Sequence, residues 1–168
     1  MPITRIISSG TAGAESAALD AAIRFRIPYG GFTTQGSLIA GDRPPARYRL
    51  DERPFVDPML LMQGNLERAD GLLVFTTGPL PGRMVRLMDH VLGEAYPCLH
   101  ADFALHTPHQ TAFRIDDWAA AHHVSQLCVT GTAILEDRRI YRQVHDALTA
   151  FFLLTADAAT PHPERTLH

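Results

Sequence analysis

The sequence predicts an α/β fold in which one open, mainly parallel sheet is covered by helices on both faces. Short apolar runs bounded by glycine or polar residues recur along the chain, and each lies beside a longer stretch with helical periodicity. Strands that alternate with helices form right-handed crossovers, which place helices on both faces of the sheet. The 168 residues suit a single domain.

Strands are predicted where the apolar runs are short and continuous, at residues 5–7, 71–75, 98–99 and 126–130. Helices are predicted where apolar residues repeat every three or four positions, at residues 14–25, 59–68, 84–92, 111–122 and 140–153. Residues 28–58 are rich in glycine, proline and charged residues without such a repeat, and they are predicted to form a long functional loop. The domain is expected to span residues 1–154, followed by a flexible tail at residues 155–168.

The composition argues against several classes of function. Fifteen basic and eighteen acidic residues give a net charge of −3, so no overall positive charge favours a nucleic-acid partner. The sequence shows neither a secretory signal nor an apolar run of about 18 residues, so we expect a cytoplasmic protein without a membrane partner. The nine histidines lack a dense ligand spacing such as H-E-x-x-H, and no metal site built by the protein is predicted.

The sharpest local signal follows the first predicted strand. The chain continues there as Ser8-Ser9-Gly10-Thr11-Ala12-Gly13 and leads directly into the first helix. Glycines allow close backbone approach, and the N–H groups at a helix start attract an anion. In an open α/β sheet this turn lies at the carboxyl ends of the strands, where ligands bind. We therefore expect the N–H groups of residues 10–13 to be open to solvent, although a tight turn that only caps the helix is the alternative.

A second bend of the same kind follows the central predicted strand. Thr76 and Thr77 precede Gly78-Pro79-Leu80-Pro81-Gly82, and Arg83 lies at the start of the next helix. Two such bends at strand ends can face one crevice. The alternatives are an ordinary loop rich in structure breakers, and threonine hydroxyls that only satisfy loop backbone groups.

Several blocks follow one another in the order of a known family. They are Ser9-Gly10-Thr11-Ala12-Gly13, Ala17-Ala18-Leu19-Asp20-Ala21-Ala22, Ile27-Pro28-Tyr29-Gly30-Gly31-Phe32, Pro45-Ala46-Arg47-Tyr48, Asp70-Gly71-Leu72-Leu73-Val74-Phe75, Gly78-Pro79-Leu80 and Pro97-Cys98-Leu99. In these blocks the chain resembles the molybdenum carrier family. That family is similar to the wider group of Rossmann-like folds that includes the lysine-decarboxylase-like phosphoribohydrolases and the DNA-processing protein DprA.

The resemblance implies a Rossmann-like fold, a homo-oligomer and a crevice for a small anionic molecule. Nucleotides, molybdate and the molybdenum cofactor, a phosphorylated pterin, are the implied ligands. Together with the two bends, it gives the expected ligand contacts Ser9, Gly10, Thr11, Gly13, Gly30, Gly31, Gly36, Thr76, Gly78, Gly82 and Arg83.

The chain departs from the family mainly at polar positions. Glu15 and Ser16 stand where relatives typically carry Asp and Arg, and Gln35-Gly36-Ser37 stands where they carry Lys-Gly-Arg. Two positive charges are therefore missing from the long loop, and each would supply a phosphate contact of roughly 1.5–3 kcal/mol. Arg83 could replace one of them from the opposite side of the crevice.

Catalysis and a scaffold role are the alternatives to binding. A phosphoribohydrolase would carry Pro-Gly-Gly-x-Gly-Thr-x-x-Glu, but this chain keeps only Gly82 and Asp89 and has Met84 at the threonine position. If the chain is an enzyme, we expect a nucleoside-phosphate glycoside hydrolase with Asp89 or Glu15 as the acid. In the scaffold interpretation the pocket is degenerate and residues 140–154 pack between subunits. Two further polar residues are candidates either for ligand contact or for structural roles, namely Asp20 and Asn65.

Overall fold

A central sheet of five parallel strands organises the protein, of which the computed structural model describes residues 2–34, 48–54 and 57–159. In chain order the elements are β1 (Arg5–Ile7), α1 (Ala14–Arg24), β2 (Tyr29–Gly30), β3 (Phe32–Thr34), β4 (Asp51–Arg53), α2 (Pro58–Glu67), β5 (Gly71–Thr76), α3 (Gly82–Gly93), β6 (Cys98–Asp102), α4 (Pro108–His122), β7 (Gln126–Gly131) and α5 (Ile140–Ala159). The strand order in the sheet is β2-β1-β7-β5-β6, and β3 pairs with β4 in a separate parallel pair.

Helices cover both faces of the sheet, because successive strand residues face opposite sides. Leu73 and Phe75 of β5 pack in a core with α1, α4 and α5. Leu72 and Val74 of the same strand pack in a second core with α2 and α3. β5 is buried along its whole length, as is typical of a central parallel strand. The predicted fold class is confirmed.

Helix α4 begins at Pro108, earlier than predicted, because Thr107 caps it. The Thr107 hydroxyl accepts the backbone N–H of Gln110 at 3.1 Å, and the Gln110 side chain accepts the N–H of Thr107 at 3.0 Å. Such a capping box satisfies donors that have no partner inside the helix. Proline suits the first helical position because it has no N–H group to satisfy.

Helix α5 continues to Ala159, so residues 155–159, which the sequence assigns to a flexible tail, are helical. Residues 160–168 lie outside the described part of the chain. The apolar face of α5, which includes Val144 and Phe151, packs within the chain against α1 and α4. That face is therefore not free to pack between subunits, contrary to the scaffold interpretation. No helix in the described ranges, α5 included, is long and apolar enough to cross a membrane.

The loop predicted at residues 28–58 contains three short strands, so this prediction is wrong for part of the segment. β2 extends the sheet beyond β1 through the pairs Ile6–Tyr29 and Ile7–Gly30. Strands of two or three residues, such as β2, β3 and β4, are too short to produce an alternating pattern in the sequence. Residues 35–47, which include Gly36, and residues 55–56 lie outside the described part of the chain.

Candidate functional site

The carboxyl ends of three neighbouring strands place the two predicted bends at one edge of the sheet. β7 lies between β1 and β5, and its residue Cys128 pairs with Ile7 on one side and with Leu72 on the other. β7 continues beyond Cys128 to Gly131, so its last residues lie beside the bend that follows β1. The bends at residues 8–13 and 77–82 therefore flank the β7–α5 loop, residues 132–139.

The close approach of the β7–α5 loop requires glycine at position 13. Gly13 has a φ of 127°, and a Cβ atom there would lie 2.6 Å from the carbonyl oxygen of Thr132. The backbone N–H of Ala14 donates to that same oxygen at 3.1 Å, and the N–H of Ile134 donates to the carbonyl oxygen of Ala12 at 2.8 Å. A glycine that the sequence suggests as a ligand contact thus accommodates another part of the main chain.

Two backbone N–H groups of the first bend have partners close by in the sequence. Gly10 donates to Ser8 Oγ at 3.3 Å, and Gly13 donates to Ser16 Oγ at 3.0 Å. The expectation that the N–H groups of residues 10–13 are open to solvent is therefore wrong for these two glycines. At both positions the bend satisfies its own donors, as the alternative of a tight capping turn implies.

Glu15 places a buried carboxyl group beside other donors of this bend. The residue is only 9% exposed, and burial raises the pKa of its carboxyl group from 4.5 to about 7. Hydrogen bonding by the Thr11 hydroxyl and by the backbone N–H groups of Thr11 and Ser9 opposes this rise in pKa, as does the positive charge of Arg83. The donors that an anion would use thus already face an acidic group of the protein.

Thr76 and Asp102 hold the second bend from inside the protein. The Thr76 hydroxyl donates to the Gly78 carbonyl oxygen at 2.7 Å and lies 2.7 Å from His100 Nε2. Since the hydroxyl has one proton, His100 donates to it through Nε2 in this arrangement. Asp102 Oδ1 accepts the N–H groups of Gly78 at 2.7 Å and of Ala104 at 2.8 Å. The Thr76 hydroxyl therefore satisfies a loop backbone group, one of the two roles considered for it.

His100 and Asp102 also lie at this edge, although the sequence pattern does not indicate them. β6 was predicted to end at residue 99 because the apolar run ends there, whereas the strand continues to Asp102. Burial lowers the pKa of His100, while the negative charge of Asp102 opposes that shift. The sequence does offer one signal, because Asp102 lies just beyond a short apolar run. In an open α/β sheet, a residue at the end of such a strand lies at the carboxyl edge.

Arg83 reaches the same edge, but its charge is paired. Its guanidinium donates to both carboxylate oxygens of Glu136 in the β7–α5 loop, with nitrogen–oxygen distances of 2.5 and 3.1 Å. This hydrogen bonding raises the pKa of Arg83 and lowers the pKa of Glu136. Glu136 also accepts the backbone N–H of Ala133 at 3.0 Å. An anion that binds to Arg83 would therefore compete with Glu136.

The other predicted glycines differ in how much space surrounds them. Gly30 accepts the backbone N–H of Ser8 at 3.0 Å, and a Cβ atom at Gly31 would lie 2.1 Å from the Ser8 carbonyl oxygen. These two glycines support the first bend from behind. At Gly78 and Gly82 a Cβ atom would meet no atom within 4 Å, so both positions border open space at the start of α3.

Asn65 connects helix α2 to the first bend. The residue is fully buried. Its Nδ2 donates to Ser9 Oγ at 2.8 Å, and its Oδ1 accepts the backbone N–H of Phe32 at 2.7 Å. Its amide is therefore occupied by structural contacts, and it positions Ser9 from behind.

The remaining acidic candidates differ in their surroundings. Asp20 accepts hydrogen bonds from the Tyr48 hydroxyl, at 2.6 Å, and from the Tyr141 hydroxyl. It thereby ties α1 to the segment before β4 and to α5. Asp89 is exposed on α3, and nothing in the described part of the chain assigns it a partner at the edge.

The fold and this edge define a Rossmann-like α/β protein with two glycine-containing bends at the carboxyl ends of its strands. The chain belongs to the circularly permutated YpsA SLOG family, whose model matches residues 6–152. It is also similar to a solved structure from Syntrophus aciditrophicus SB, named "Putative molybdenum carrier protein". The two are 36% identical with a TM-score of 0.82, over 89% of this chain and 94% of that chain. No curated protein matches the chain. The predicted resemblance is confirmed.

Proposed function

We propose that the chain binds a small anionic molecule at the carboxyl edge of its sheet, between the bends at residues 8–13 and 77–82. The observation that carries this proposal is that the starts of α1 and α3 both contact the β7–α5 loop, through the Ala14 N–H to the Thr132 oxygen at 3.1 Å and through the Arg83–Glu136 ion pair. Two helix starts that contact one loop lie at the same edge of the sheet. Helix starts and arginine both favour anions.

The ligand in this proposal is phosphorylated, nucleotide-like or of the pterin type, or it is molybdate. The related protein from Syntrophus aciditrophicus is named for molybdenum, and this supports molybdenum as the cargo. An oxyanion would accept hydrogen bonds from the Thr11 hydroxyl and from Arg83. A phosphate group would use the same donors, so the fit is to an oxyanion in general.

Glu15 sets a condition on such binding. An ionised Glu15 would repel an anion held at the Thr11 donors, whereas a protonated Glu15 would not. Because the pKa of Glu15 is raised to about 7, both forms are populated near neutral pH. Protonation therefore costs little there, and the anion is expected to bind together with a proton.

Native mass spectrometry with metal analysis of freshly purified protein tests the proposal directly. It reports a bound cofactor and also the assembly state, which tests the expected homo-oligomer. Thermal unfolding with molybdate, with sulfate as a control dianion, and with a nucleotide panel then measures affinity. A ligand present at about 100 times its Kd stabilises the folded state by about 2.7 kcal/mol.

Arg83→Ala is the informative variant, and Arg86→Ala, an exposed arginine on the same helix, is its control. Loss of a charge-assisted contact is expected to weaken the stabilising ligand about tenfold in Arg83→Ala and not in Arg86→Ala. Equal affinities for the wild type and Arg83→Ala would place the ligand elsewhere.

A glycoside hydrolase acting on a nucleoside phosphate is the second candidate function. The observation that favours it is the raised pKa of Glu15, about 7, which suits a general acid near neutral pH. Release of free base from a nucleotide panel would be lost in Glu15→Gln and kept in Asp89→Asn. If no nucleotide yields free base, this candidate is wrong.

A further inference from the structure

A cleft of about 450 Å³ lies beside Phe32, between β4 and helix α2. It contains none of the ligand contacts expected from the sequence. Its described lining includes Phe32, Arg53, Pro54, Leu60, Glu67 and Arg68. The cleft thus combines two guanidinium groups, one carboxylate and several apolar side chains.

The Phe32 ring lies between two arginines. The guanidinium carbon of Arg53 is 4.0 Å from the ring centroid, and that of Arg68 is 3.8 Å from it. Two groups so close to one centroid must occupy opposite faces, since on one face they would overlap. Stacking on an aromatic ring restricts a guanidinium group and leaves the N–H donors at its edge available.

The short β3–β4 pair builds this arrangement. Phe32 pairs with Asp51, and Thr34 pairs with Arg53. Because alternate strand residues share a face, Phe32, Asp51 and Arg53 lie on the same side of the pair. Helix α2 ends at Glu67, and the next residue, Arg68, donates from NH1 to Asp51 Oδ2 at 2.8 Å. Asn65 fixes the backbone of Phe32 from the same helix.

The two arginines differ in their charge balance. Arg68 is neutralised by Asp51, whereas Arg53 forms no ion pair with any residue in the described ranges. Glu67 lines the cleft as well and is exposed, so it disfavours a highly charged anion. Leu60 is 58% exposed and offers apolar surface that would gain from being covered.

We propose that this cleft is a second binding site, which takes a small organic anion with a single charge. A carboxylate or a phosphate diester accepts hydrogen bonds from the edge of the Arg53 guanidinium, and its apolar body covers Leu60 and Pro54. The site shares no residue with the proposed carboxyl-edge site, so either can exist without the other.

NMR titration of the full chain with benzoate and with the neutral benzamide tests the proposal. Benzoate is expected to shift the backbone amide signals of residues 53 and 60–64 saturably, and to bind about tenfold more tightly than benzamide. Arg53→Gln is expected to abolish this preference. Arg24→Gln is the matched control, because Arg24 also lies beside a phenylalanine, 5.7 Å from the Phe25 ring centroid, but outside the cleft.

Leu60→Ser provides a second test if Arg53→Gln does not keep the wild-type spectrum. The loss of apolar contact is expected to weaken benzoate binding severalfold. The fold should be unaffected, because the Leu60 side chain is exposed. Equal binding of benzoate and benzamide by the wild type overturns the proposal, as does unchanged benzoate affinity in Leu60→Ser. If inorganic phosphate binds as tightly as benzoate, the ligand does not need an apolar body, and that part of the proposal is wrong.

Discussion

Arg83 and Glu136 form a bidentate ion pair that joins the start of α3 to the β7–α5 loop. The two nitrogen–oxygen distances are 2.5 and 3.1 Å. The side chains are 49% and 39% exposed, so solvent screens the pair and it contributes no more than about 0.5 kcal/mol to stability. The positive charge of Arg83 also favours the ionised form of the buried Glu15 carboxyl group.

Removal of Arg83 is expected to raise the pKa of Glu15 further above its present value of about 7, because the positive charge of Arg83 favours the ionised carboxylate. NMR titration of the side-chain carboxyl carbon in Arg83→Ala, with Arg86→Ala as the control, measures this shift. An unchanged pKa of Glu15 in Arg83→Ala would mean that the two groups do not interact.

Glu15 is expected to make the protein less stable as the pH rises. Its pKa is about 7 in the folded protein and 4.5 as the unperturbed value, so the unfolded chain ionises first. The protonated carboxyl group contributes its full stability below pH 4.5. This contribution falls as the unfolded chain ionises, and it is lost once the pH has risen through about 7. Between pH 4.5 and 8 the free energy of unfolding of the wild type should fall relative to Glu15→Gln, by about 3 kcal/mol.

Urea unfolding of both proteins at several pH values measures this difference. Glu94→Gln removes an exposed carboxylate at the other end of α3 and serves as the control. Parallel stability curves for the wild type and Glu15→Gln would contradict the prediction.

Gly13→Ala is expected to destabilise the protein by about 3 kcal/mol or more. The new Cβ atom would lie 2.6 Å from the Thr132 oxygen, at a φ of 127° that side chains other than glycine rarely adopt. Gly93→Ala is the matched control, since that position lies in α3 with no atom within 4 Å. It should be neutral or gain about 0.5 kcal/mol. Chemical denaturation distinguishes the two, and similar effects of both changes would argue against the tight contact.

Asn65→Ala is expected to cost about 2–3 kcal/mol, because the backbone N–H of Phe32 then loses its acceptor inside the protein. Ser9→Ala should cost less, about 1 kcal/mol, since Asn65 Nδ2 still donates a hydrogen bond to the Phe32 carbonyl oxygen at 3.4 Å. Equilibrium unfolding of the two single variants and the double variant measures their coupling. Strictly additive effects would show that Asn65 does not act through Ser9.

The sequence predicts most of the fold because the longer elements carry their own patterns. Helix α3, with Met84, Leu87 and Val91 buried, repeats its apolar residues at helical spacing. β5 is a continuous apolar run. β6 was predicted too short because His100 interrupts its apolar run, and β2, β3 and β4 carry no pattern long enough to detect.

The candidate site was less predictable, because its partners come from distant parts of the chain. The glycines correctly indicate bends at the carboxyl edge. No spacing rule reveals that Thr132 accepts the Ala14 N–H, or that Glu136 pairs with Arg83. The burial of Glu15 likewise depends on the packing around α1 and not on its local sequence.

The β7–α5 loop also determines when this edge can form. Thr132 accepts from Ala14 and donates to the Phe75 carbonyl oxygen, so segments far apart in the sequence meet through one short stretch near the end of the domain. Closing such long loops is entropically costly and slows folding. On the ribosome, the bend at residues 8–13 would acquire its partners in the β7–α5 loop only after residues 132–134 have been synthesised.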